Sequence, residues 1–221
     1  MVQELIHVYL MPGMAASPKI FEHIKLPENQ FEIHLLEWQM PKVNESLSDY
    51  ALRLSKKIKH TNVVLLGVSF GGVLVQEMSR FVKLRKLIIV SSVKTMNELP
   101  KRMIFAKTTK AYALIPTQLA SKIEVFEKYA FGATMTKRLE LYKKYLSVND
   151  SKYLSWAIKE MVCWERQDVI PGIIHIHGDK DPVFPIKYIK DCIVIKNGTH
   201  IAIINKYKWF NKNLPALILE S

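Results

Sequence analysis

Two hydrophobic rhythms alternate along this chain of 221 residues. Short runs rich in β-branched and aliphatic residues, at Leu5–Leu10, Phe31–Leu36, Val63–Leu66, Lys86–Ser92, Gly172–Gly178 and Cys192–Gly198, read as strands. Elsewhere the apolar positions recur at helical spacing, as with Leu47, Tyr50, Ala51, Leu54 and Ile58. Ser17 followed by Pro18 predicts a helix start in "SPKIFEHI"; Val73, Leu74 and Met78 mark another helix, and "IAIINKYKWFNKNL" a closing one. Strand alternating with helix demands right-handed crossovers and strands covered on both faces. The expected fold is therefore α/β, a mostly parallel six-stranded sheet with helices on both sides.

From about Lys94 to Gln167 the rhythm breaks. No strand signal appears there, only helix-like segments such as "ASKIEVFEKYAF", "MTKRLELYKKYLSV" and "SKYLSWAIKEMVCWE". A helical lid inserted after the fourth strand fits this interval, giving a core of residues 1–93 and 168–221 and a lid of 94–167. With no low-complexity linker at either end, the lid is expected to pack on the core.

The candidate chemistry sits where strands end. In "NVVLLGVSFGGVLVQEM" a serine, Ser69, lies between Gly67 and Gly71 at the join of a strand and a helix. A G-x-S-x-G sequence in that context describes a sharp, strained turn that lifts the hydroxyl above the sheet, where bulk at either flank would collide with neighbouring backbone. A serine alone is a poor nucleophile and needs a base oriented by a third group. Downstream, "HIHGDKDPVFP" follows the fifth strand and supplies Asp179 and Asp181, while "KNGTH" follows the sixth and supplies His200. Both loops fall at the carboxyl ends of strands, the rim where open α/β sheets build sites.

"GVSFGG", "HGDKDPVFP" and "NGTH", in this order and each after a strand, resemble the α/β-hydrolase fold family over essentially the whole chain. The resemblance implies Ser69 as nucleophile, His200 as base and Asp181, the fourth residue of G-x-x-D-x-x-x-P, as the acid, with Asp179 as rival. It also implies an oxyanion hole from the backbone N–H groups of Met14 and Phe70. Here the loop after the first strand carries Pro12-Gly13 where many relatives have His-Gly, which leaves open what orients that loop. Met11 and Trp38 are candidates for an apolar pocket wall. The implied activity is hydrolysis of a carboxylic ester or thioester through an acyl-enzyme, with no metal or organic cofactor. A lyase or C–C bond-cleaving enzyme using the same three residues, and a non-catalytic binding protein, are the alternatives.

Composition changes the picture little, and charge somewhat more. Half the residues are hydrophobic (49%) and no apolar run reaches the length of a membrane helix. The N-terminus lacks the basic start and cleavage site of a signal peptide, and Cys163 and Cys192 have no CxxC spacing, so a reducing, cytoplasmic location is expected. His175 and His177 share a strand face without a third ligand in view and are read as structural, as are His7, His23, His34 and His60. The net charge is +12, yet no zinc spacing, RNP-like aromatics or Arg-rich arm points to nucleic acid. Residues 94–160 hold 13 basic and 6 acidic side chains, with aromatics including Tyr112, Phe126, Tyr129, Phe131, Tyr142, Tyr145, Tyr153 and Trp156. A cationic rim over an apolar tunnel would suit a small-molecule acyl substrate bearing an anionic group, or one delivered by an acidic carrier protein.

Overall fold

A computed structural model describes residues 4–117, 144, 145, 148 and 150–220. Six parallel strands, β1 (Ile6–Met11), β2 (Phe31–Leu35), β3 (Val63–Val68), β4 (Leu84–Val90), β5 (Ile174–Gly178) and β6 (Ile193–Ile195), form one sheet in the order β2-β1-β3-β4-β5-β6. The apolar runs of β1 and β3 are continuous because these inner strands bury both faces, whereas the edge strands β2 and β6 leave Leu35 and Val194 half exposed. On β1, Ile6, Val8 and Leu10 enter one hydrophobic cluster while Tyr9 and Met11 enter the other; on β3, Val64, Leu66 and Val68 oppose Val63 and Leu65 in the same way.

One face is covered by α1 (Leu47–Ser55), α2 (Phe70–Met78) and α4 (Ser151–Val162), the other by α5 (Ala202–Asn205) and α6 (Tyr207–Leu219). α1 begins at Ser46, whose Oγ accepts the Asp49 N–H at 3.1 Å, and buries Leu47, Tyr50, Ala51 and Leu54. Phe210, Leu214 and Ile218, four residues apart, do the same for α6. The two strands flanked on one side only are β2 and β6.

Three local readings differ from the sequence pattern. "SPKIFEHI" forms a single 3₁₀ turn, Pro18–Phe21, capped by Ser17; Ile20, Phe21, Ile24 and Leu26 are all buried there, and Leu26 falls off any helical stripe set by the first three. The closing segment is two helices, because Lys206 (φ −119°, ψ 22°) leaves the helical basin between them. Within the interval read as a lid, α4 sinks Tyr153, Leu154, Ala157 and Met161 into the core beside α1 and α2. In contrast α3 (Lys101–Thr109) buries no residue and leaves Ile104 and Phe105 exposed. "ASKIEVFEKYAF", most of "MTKRLELYKKYLSV", and with them Phe126, Tyr129, Phe131 and Tyr142, lie outside the described residues.

Candidate active site

β3 delivers Ser69 to the carboxyl edge of the sheet, and α2 starts at the next residue. Ser69 takes φ 54°, ψ −122°, a conformation that L-residues avoid and that costs of order 1–3 kcal/mol. The surroundings hold it there. Its N–H donates to the Val90 carbonyl (2.9 Å), and its own carbonyl accepts from the Gly72 N–H (2.8 Å) and the Ser92 hydroxyl (2.7 Å). The flanking glycines are required by close backbone approach: a Cβ on Gly67 would stand 2.2 Å from the Gly71 carbonyl oxygen, and one on Gly71 2.2 Å from that of Pro12.

The loops after β5 and β6 bring the other two groups to the same place. Ser69 Oγ lies 3.0 Å from His200 Nε2, and His200 Nδ1 lies 2.9 and 3.2 Å from the two Asp181 oxygens. A proton on Nδ1 donated to Asp181 leaves Nε2 as the acceptor for the serine hydroxyl. Asp181 is 4% exposed and also accepts the Val183 and Phe184 N–H groups at 2.8 and 3.0 Å. Burial pushes its carboxyl up, but the adjoining His200 charge and hydrogen bond, with His177 and the Phe184 N–H, hold it below the usual carboxylate range. Asp179 stands apart: its Oδ1 is buried and has no hydrogen-bond partner among the described residues.

Sequence reasoning reads His175 and His177 as structural but misses what they support behind these groups. His177 Nε2–H donates to the Phe184 carbonyl (2.8 Å) and faces Asp181 Oδ2 at 3.6 Å, so it buttresses the loop that carries the acid. That tautomer leaves His177 Nδ1 to accept from His175 Nε2, 3.2 Å away. Burial lowers both imidazoles, His175 to about 2, with the Lys94 charge and the paired ring acting the same way on it; on His177 the Asp181 charge opposes. Both bases bind protons more readily unfolded than folded. Their contribution to stability is thus complete above the ordinary histidine pKa of about 6.5 and is lost as pH falls through the window below it. Unfolding titrations should show stability falling more steeply below about pH 6, His175 alone adding about 1 kcal/mol per pH unit. His175→Gln should remove that share.

The second omission answers the question left by Pro12-Gly13. Trp38, beyond β2, donates its Nε1–H to the Gly13 carbonyl at 2.7 Å and stacks flat on Phe70, with centroids 5.1 Å apart and planes 7° from parallel. The Tyr153 hydroxyl accepts the N–H of Ala15, which sits at φ 60° (3.1 Å). The loop is thereby clamped from two distant parts of the chain. Met11 is wholly buried and Trp38 nearly so, beneath the loop, whereas Met14 is half-buried. No described hydrogen bond engages the Met14 or Phe70 N–H. Trp38→Phe keeps an aromatic ring on Phe70 but deletes the donor and part of the buried ring; kcat should fall about tenfold with KM nearly unchanged, and stability by about 1–3 kcal/mol.

A parallel sheet in this order, with a serine at a strained strand–helix turn meeting a histidine and an aspartate from the last two strand loops, is the α/β-hydrolase fold, and the chain has it. Solved structures agree across nearly the full length. A bromoperoxidase from Bacillus anthracis is similar at 18% identity and TM-score 0.71, covering 99% of this chain and 93% of its own. An esterase from Exiguobacterium antarcticum is similar at 16% and 0.65, covering 100% and 94%. A structure from a study of carboxylesterases of the thaumarchaeon Nitrososphaera gargenis is similar at 17% and 0.67, covering 97% and 90%. No family model matches the sequence, and no curated protein matches it significantly. Among the described residues no helix is long and apolar enough to cross a membrane.

Proposed function

We propose that this protein is a serine hydrolase cleaving a small-molecule carboxylic ester or thioester through an acyl-enzyme on Ser69. One observation carries the reading: the continuous Asp181–His200–Ser69 hydrogen-bond chain ending at a hydroxyl on the N-terminus of α2. In this mechanism Ser69 Oγ attacks the acyl carbonyl as His200 Nε2 takes its proton, and Asp181 stabilises the resulting imidazolium. The developing oxyanion is received by the N–H groups of Met14 and Phe70, the latter aided by the positive end of α2. His200 returns the proton to the leaving group, then activates the water that frees the acid. Met14 faces the acyl group, and Met11 and Trp38 form the floor beneath the loop.

The esterase and the structure from the carboxylesterase study among the similar structures support this chemistry. The cytoplasmic location rests on Cys163 and Cys192, which are both unpaired. An acidic carrier protein as acyl donor is supported by the excess of basic side chains in residues 94–160. A fluorophosphonate probe should label the wild type covalently and leave Ser69→Ala unlabelled. A folded wild type that resists labelling overturns the reading, and normal labelling with only trace turnover of p-nitrophenyl esters replaces ester hydrolysis with lyase or C–C cleavage chemistry.

A further inference from the structure

The end of the sheet remote from Ser69 gathers a cluster of imidazoles and a carboxylate. His7 on β1 and Glu32 on β2 are register partners, and His34, two residues beyond Glu32, shares its face. His60 joins them from the segment between α1 and β3. Each offers one nitrogen or carboxylate oxygen, and the four atoms all lie within 4.8 Å of one another.

Three of them are closer still. His7 Nδ1 is 3.0 Å from His34 Nε2 and 3.2 Å from Glu32 Oε2, and the last two atoms are 3.7 Å apart. Ligand atoms around a tetrahedral ion at about 2.0–2.1 Å stand roughly 3.3–3.4 Å from each other. The triangle already has that size. His60 stacks on His7, with centroids 3.8 Å apart and planes 8° from parallel, and its Nδ1 is bonded to the Tyr9 hydroxyl at 2.7 Å. An ion lies in the plane of each imidazole that binds it, so the stacked His60 must turn to present Nε2. Its exposed position leaves room for that.

Three imidazoles and one carboxylate thus converge on one spot near the surface of the sheet.

We propose that His7, Glu32 and His34, closed by His60, bind a divalent transition-metal ion of the zinc type. Imidazoles with one carboxylate suit zinc, nickel or copper(II) and disfavour magnesium or calcium. The ion would clip the edge strand β2 to β1 and to the α1–β3 connection. Six residues of β3 at about 3.3 Å each place it roughly 20 Å from Ser69, so its role is structural and independent of the hydrolase reading.

The test uses full-length protein without a histidine tag, stripped with EDTA and titrated with Zn²⁺ by calorimetry and with Co²⁺ by visible absorption. One equivalent should bind, the Co²⁺ spectrum should be that of a tetrahedral site, and affinity should fall as pH drops below about 6.5. Glu32→Gln and His34→Gln should each weaken binding at least about tenfold, His60→Ala less, and Ser69→Ala not at all. Should His34→Gln fail to fold, the exposed positions Glu32 and His60 carry the comparison. No stoichiometric binding by the wild type, or affinity unmoved by Glu32→Gln and His60→Ala, overturns the proposal.

Discussion

Ser69→Ala is expected to lower kcat for ester hydrolysis by about 10⁶-fold while the protein stays folded. On the proposed mechanism the substitution removes the one atom that forms the covalent bond and changes little else, since the Val90, Gly72 and Ser92 contacts all use the backbone of residue 69. Those contacts also hold the turn, so the alanine inherits the unfavourable φ of 54°. Ser69→Gly separates the two consequences. It should be equally inactive, yet more stable than Ser69→Ala by about 1 kcal/mol, because glycine occupies this conformation without a Cβ clash. Steady-state hydrolysis and denaturant melts of the two variants check both halves. An active Ser69→Gly would sink the nucleophile assignment.

Asp181→Asn should lower kcat about 10⁴-fold, against a few-fold at most for Asp179→Asn. An amide at 181 has one oxygen for three donors, the Val183 and Phe184 N–H groups and His200 Nδ1. If the oxygen stays with the backbone, the amide NH₂ faces the imidazole and selects the tautomer with its proton on Nε2, which cannot accept from Ser69. Asp181 also adds stability of a definite sign. Its lowered pKa means that contribution is complete above the ordinary carboxylate pKa and disappears as pH falls through the folded value. Equal losses at 179 and 181 would show that neither aspartate orients His200.

How much of this was legible in the sequence follows from the range of each signal. Ser69 announces itself within five residues, because the turn needs glycine on both sides and the strand and helix adjoin it. His200 and the Asp181 loop were legible because strand order and parallel crossovers force loops after β5 and β6 to the same rim as the turn after β3. The choice between Asp179 and Asp181 needed the family resemblance, since two residues in one loop differ only in direction. Contacts without a local signature stayed hidden. Trp38 reaches Gly13 across 25 residues and Tyr153 reaches Ala15 across 138, and no periodicity reports either. The His7–Glu32–His34–His60 cluster depends on the β1–β2 register and on a loop residue 25 or more positions away, and no local pattern reports either. "SPKIFEHI" carried a correct cap signal and then stopped after one turn, because its apolar residues serve tertiary packing rather than a helical stripe.

Trp38 hangs from the end of β2, and β2 has a neighbour on one flank alone. Border strands are the first to fray in native-state fluctuations, well below the free energy of global unfolding. Each such excursion withdraws the indole from Gly13 and slackens the segment carrying the Met14 amide. Turnover should therefore decay on warming before the bulk of the sheet melts, with amide exchange quickening first at residues 31–36.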